Sequence, residues 1–170
     1  PQLVAGPIER ATNLLPQFYK KRTFNYNKAI DGMRQILWGL FKKLVIADNC
    51  AEYANLAFDN IWSYSGSTLV LGAIFFTFQI YCDFSGYADM ALGVALILGF
   101  KFSLNCNMPY TSLNITEFWR KWHISLTSWF RDYIYIPLGG SKTGILYKYR
   151  NVFIIFFITT LAETNRHPFD

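Results

Sequence analysis

The feature that most constrains this chain is residues 66–82, seventeen positions that are mostly apolar and carry no formal charge. At about 1.5 Å per residue, such a run reaches the lower limit for crossing a hydrocarbon layer of about 30 Å. Asp83 and Asp89 follow it, and then a second apolar run, 90–100. Lys101, just beyond, is placed to snorkel toward headgroups. A carboxylate facing lipid is too costly, so both aspartates are expected at helix ends or inside a bundle.

Composition agrees with a membrane chain. Hydrophobic residues make up 52% of the 170 positions and charged ones 16%, against about 25% charged in a typical soluble domain. Phe, Tyr and Trp reach 19%, and aromatics collect where chains cross lipid–water boundaries. The formal charge is +5, from 16 Lys+Arg against 11 Asp+Glu. The cations stand beside apolar runs: Lys20, Lys21 and Arg22; Lys42 and Lys43; Arg120 and Lys121; Lys142 and Lys148. They read as cytoplasmic anchors under the positive-inside rule rather than as a nucleic-acid surface. Cys50, Cys82 and Cys106 are widely spaced with no CxxC pair, which implies neither a disulfide framework nor a metal site.

Along the chain, residues 1–25 read as loop, with Gly6-Pro7 and Pro16 as breakers. Ile30, Met33, Leu37, Leu40 and Leu44 then recur at helical steps. Lys28, Arg34, Lys42 and Lys43 interrupt that segment, which suits a helix lying at the interface or entering only partly. Residues 105–114 form a polar loop. Asn114, three before Glu117, is a candidate N-cap for one helix over about 115–135. Ile136-Pro137-Leu138-Gly139-Gly140 should stop it. A last apolar run, 152–161, is too short to span unless its helix starts near Tyr147 or continues past Asp170. The expected fold is all-α: a multi-spanning membrane helix bundle of two or three spans, with one or two interfacial or re-entrant helices.

Chemistry concentrates in Phe118-Trp119-Arg120-Lys121-Trp122-His123-Ile124-Ser125-Leu126. On a continuous helix His123 would share a face with Trp119 and Thr127. Aromatic walls desolvate an imidazole and favour the neutral form that a general base requires. The alternative is a packing or interfacial histidine held by a backbone carbonyl, with Phe118, Trp122, Trp129 and Tyr133 as core or belt and Arg120, Lys121 and Arg131 as anchors. Asp83, Ser85, Tyr87 and Asp89 make a second constellation, able to bind a hydroxyl substrate or polarise a histidine. Its alternative is a helix-to-helix joint, with Gly86 turning the chain and Asp83 or Ser85 capping the next helix.

Several of these runs resemble the membrane-bound O-acyltransferase family, in the branch that acetylates alginate and related exopolysaccharides. They are Pro1-Gln2-Leu3-Val4-Ala5-Gly6-Pro7-Ile8-Glu9-Arg10, then Gln79-Ile80-Tyr81-Cys82-Asp83-Phe84-Ser85-Gly86-Tyr87-Ala88-Asp89-Met90-Ala91, and the run 118–126. Trp129-Phe130-Arg131-Asp132-Tyr133 and the Pro-Leu-Gly-Gly stop continue the likeness. The resemblance implies the central part of such a domain over 1–161, a funnel of many membrane helices in the cell (inner) membrane. A thioester donor, acetyl-CoA or an acylated carrier, would meet a hydroxyl acceptor there, with no resident cofactor. It implies His123 as a catalytic base, with Asp83, Ser85, Tyr87, Trp119, Arg120, Trp122 and Arg131 around the substrates. Membrane lipid and a polysaccharide or periplasmic acetyl-acceptor protein would be its partners.

Here the sequence departs from the family pattern. A second family histidine, regarded as the more directly catalytic of the two, belongs in a Leu-Trp-His-Gly run after Leu161, but the chain reads Ala162-Glu163-Thr164-Asn165-Arg166-His167-Pro168-Phe169-Asp170. That tail resembles a loop of the quinone-chamber subunit of respiratory NADH dehydrogenase, which implies a junction or truncation at 162–170. With Pro1-Gln2 opening the chain, a segment without a complete site of its own is expected. The other readings are D-alanyl transfer to teichoic acid, a respiratory membrane subunit, and a non-catalytic membrane module.

Overall fold

The computed structural model describes residues 7–142 and 144–164, and every regular element among them is helical. Helix α1 spans Ala11–Tyr19, where a loop was expected, and Pro16 lies inside it. Helix α2, Tyr26–Leu40, opens on Asn25, whose side chain accepts the Lys28 N–H. It runs without a break through a wide π turn, Phe41–Ala47, into α3, Asp48–Asp59. After a turn, α4 returns antiparallel over Gly66–Ile97, 32 residues.

Glycines set the spacing of this hairpin. A Cβ on Gly39 would sit 2.5 Å from the Gly86 carbonyl oxygen, and one on Gly32 2.6 Å from that of Gly93. Backbone therefore packs on backbone, the contact that small residues allow between membrane helices. Ala54, Ala57, Ala88 and Ala95 are buried on the same rods. The joint expected at Gly86 is absent: it is buried within α4, and the runs 66–82 and 90–100 contribute to one helix. Among the described residues this is the one helix long and apolar enough to cross a membrane.

The periodic apolar stripe on α2 faces away from the hairpin. Met33, Leu37 and Leu44 are exposed, while Gly32, Gly39 and Lys42 are buried. Periodicity located the helix, and the face it marks is not the one that packs, because close packing selects for size rather than for hydrophobicity.

The expected helix over 115–135 is two helices. Helix α5, Ile115–Lys121, is separated by Trp122 and His123 from α6, Ile124–Phe130, which leads into a second π turn, Arg131–Tyr135. Asn114 does cap α5, accepting the Glu117 N–H at 2.8 Å, and Glu117 reaches back to the Leu113 N–H at 3.0 Å. Chain reversal follows at Gly139 and Gly140, both at positive φ. Asn151, fully buried on α7 (Ile145–Thr164), pins that turn by donating to the carbonyls of Leu138 and Gly140 at 3.1 and 3.3 Å.

Candidate active site

A stripe of α4 forms the shelf on which the site is built. Thr77, Tyr81 and Phe84 follow one another at helical steps, so their side chains share a face. Tyr110 donates its hydroxyl to the Thr77 carbonyl at 2.9 Å and lays its ring 5.3 Å from that of Tyr81. Phe118 stacks on Trp122 at 5.9 Å and on Tyr110 at 6.2 Å. Phe84 meets both Trp122, at 5.4 Å, and the His123 imidazole, at 4.7 Å. His123 is 8% exposed. Its aromatic wall is real, and it includes Phe84 of α4, a partner that spacing along 115–135 could not supply.

The departure from a continuous helix arises in the backbone. His123 adopts φ 44° and ψ 54°, the left-handed region. Such a conformation costs an L-residue about 1–2 kcal/mol and persists where surrounding structure imposes it. The imposing segment is 105–107. Asn107 donates its N–H to the Lys121 carbonyl at 2.9 Å, and Ile124 donates to the Asn105 carbonyl at 2.8 Å. The Asn105 side-chain oxygen accepts from the Ser125 hydroxyl at 2.7 Å and from the Ser125 N–H at 3.3 Å. Between these anchors the Cys106 thiol lies beside the His123 backbone N–H. Burial pushes that thiol up, and the N–H bond pulls it partly back.

Behind the shelf lies a buried polar ladder between the two rods. Lys42 pairs with Asp89 and donates to the Ser85 hydroxyl at 3.1 Å. Gln35 donates to the other Asp89 oxygen at 3.0 Å. Lys43 bridges Asp48 at 2.7 Å and Asp83 at 2.8 Å. The expectation of an anchor reaching for headgroups does not hold for Lys42, which is buried. In this apolar setting each ammonium is stabilised by a carboxylate across the hairpin.

The remaining candidates fall into separate places. Asp83 and Ser85 belong to the ladder and bond lysines rather than His123. Tyr87, Trp119 and Arg120 are exposed. Arg131 pairs with Asp132 at 2.8 Å, and Arg10 from the N-terminal loop closes on the same carboxylate. The two guanidiniums, Arg131 foremost, hold the Asp132 carboxyl below its ordinary range. His167 lies outside the described residues. Sequence reasoning passed over Lys42, Gln35 and Asn105 as site elements. One signal was available for the ladder: Gln35, Lys42 and Asp89 each stand three residues after a contact glycine, Gly32, Gly39 and Gly86.

Residues 1–162 match the membrane-bound O-acyltransferase family as a whole. The chain belongs to that family. It is 44% identical over 160 residues to a peptidoglycan O-acetyltransferase of Helicobacter pylori, covering 93% of this chain and 30% of the relative. To a probable alginate O-acetylase, AlgI, of Pseudomonas aeruginosa it is 45% identical over 158 residues, with the same two shares. A teichoic acid D-alanyltransferase of Bacillus subtilis is 32% identical over 140 residues, 80% of this chain and 35% of the relative. The chain thus spans about a third of the length of these relatives. The acyltransferase segment includes the His123 break, the shelf beneath it and the polar ladder.

Proposed function

We propose that this segment forms the central part of a multi-pass inner-membrane O-acyltransferase that acetylates hydroxyls of an exported polysaccharide. The carrying observation is His123 itself: a buried imidazole, set on Phe84 by a left-handed backbone, within a family of acyltransferases. In the reaction, an acceptor hydroxyl attacks the carbonyl carbon of a thioester. His123 takes the hydroxyl proton, the carbon–sulfur bond breaks, and the proton returns to the departing thiolate. Acetyl-CoA or an acylated carrier protein is the donor, and a polysaccharide or a periplasmic acetyl-acceptor protein takes the group. Exposed Tyr87, Trp119 and Arg120 are available to the substrates or to helices outside this segment. Higher identity to the O-acetylating relatives than to the D-alanyltransferase supports acetyl as the group carried. Helices α5 and α6, only seven residues each, suit re-entrant pieces that bring His123 to membrane depth.

The test is acetyl transfer by the full-length protein in membranes. His123→Ala should cost at least about a hundredfold in turnover while the protein still inserts. Asp83→Asn, whose partner is Lys43, should leave turnover per inserted molecule within a few-fold. Equal turnover for wild type and His123→Ala would return the histidine to packing.

A further inference from the structure

We infer that Asn105 is a positioning residue for His123, a role that rests on the acyl-transfer reading above. His123 follows Trp122 between two short helices at positive φ, and although its carbonyl accepts the Thr127 N–H at 3.0 Å as α6 begins, its own φ lies outside the helical range. It is held there from eighteen positions upstream. Asn105, with no exposed surface, holds α6 by two different atoms, its backbone carbonyl on Ile124 and its side-chain oxygen on Ser125. The first two residues after His123 are therefore held by one buried residue, Ile124 through its backbone and Ser125 through its side chain. Asn107 fixes Lys121 on the other flank. Phe84 supplies the floor, so the imidazole has both a defined backbone and a defined resting face.

The chemistry explains why asparagine suits the position. An amide oxygen can accept from the Ser125 N–H and hydroxyl together without bringing a charge into a buried site. Its Nδ2 makes no hydrogen bond within the described residues, a buried orphan donor that packing alone would not select. A general base displaced by about 1 Å loses up to about a hundredfold in rate, so a clamp on the histidine backbone acts on turnover before it acts on affinity.

The experiment uses the full-length protein in membranes, with kcat and KM measured for the acyl donor. In parallel, carbethoxylation of His123 by diethyl pyrocarbonate is followed by mass spectrometry. Asn105→Ala should lower kcat about tenfold or more, change KM less than twofold, and speed His123 modification several-fold. Asn105→Asp keeps an accepting oxygen but carries a carboxylate into the buried site, so its kcat should fall between those of wild type and Asn105→Ala. Ser125→Ala, which removes only the 2.7 Å bond, should lower kcat a few-fold and decides the matter if Asn105→Ala does not accumulate. Wild-type kcat and wild-type His123 reactivity in the Asn105→Ala or Ser125→Ala protein overturn the clamp, as does a loss confined to KM. A wild-type protein that transfers no acetyl group overturns the proposed reaction instead, while the modification rates still judge the clamp.

Discussion

The hairpin over 26–97 and the folded-back segment over 105–142 are made of similar residues and solve opposite problems. In the hairpin, regular helices meet at glycines, and the buried charges are matched across the contact. In the second segment helices last two turns, His123 sits at positive φ, and order comes from side chains reaching across loops. The first is a frame that tolerates charge because both partners are built in. The second spends regularity to aim one imidazole. Substitutions in the frame should therefore change how much folded protein exists, and those near His123 how fast it turns over.

The sharpest way to break this contrast is Lys42→Met. Lys42 and Asp89 keep only 10% and 14% of their side-chain surface exposed, so removing one leaves the other charged, buried and unpaired. A loss of about 3–5 kcal/mol is expected in thermal or denaturant unfolding in detergent. The paired change Lys42→Met with Asp89→Leu should cost clearly less than either change alone, since it leaves no orphan charge. Folded Lys42→Met protein that turns over at the wild-type rate keeps the ladder in the frame. A fall in turnover with unchanged stability would move it into the site.

Gly39→Ala comes next. The new methyl group would press on the Gly86 carbonyl at 2.5 Å and on the Met90 side chain at 2.7 Å, and the carbonyl belongs to a rigid helix. The rods must part, at a cost of about 1–3 kcal/mol, typical of overpacking. Gly66→Ala is the control, since nothing lies within 4 Å of the added carbon. Its stability should match or slightly exceed wild type, read by the same unfolding transition.

These two regions also differ in how far they could be read from sequence. The apolar first half of α4, the Asn114 cap and the Gly139-Gly140 stop are local, and each declared itself in a few neighbouring residues. His123 was legible as chemistry from the Trp-His run. Its backbone was not, because the break has no Gly or Pro to mark it and is imposed by Asn105 from eighteen residues away. The π turn at Phe41–Ala47 was equally hidden, and with it the burial of Lys42. A lysine beside an apolar run looks like an anchor until the aspartate across the hairpin is known. Hydrophobic periodicity also misdirects wherever small residues, not large ones, make the contact.

The smallest expected effect lies at the start of α5, where local signals and structure agree. Lys121, bonded at 2.7 Å, and the Leu113 N–H hold the Glu117 carboxyl below its ordinary value of 4.5. A carboxyl depressed on folding lends stability that is fully present above its unfolded value and disappears as pH falls through the lower folded one. Amide exchange at residues 113–121 should thus speed up as pH drops below about 4.5, after correction for intrinsic rates, and Glu117→Gln should flatten that profile. The pair is solvent-screened, so added salt should shrink the difference. Asp132 is depressed in the same direction, but by Arg131 and Arg10, and its acid transition belongs to residues 131–135. Simultaneous loosening of both stretches in wild type, with Glu117→Gln abolishing both, would mean that α5 and the second π turn open as one unit. Separate transitions would mean that α5 and the second π turn open independently.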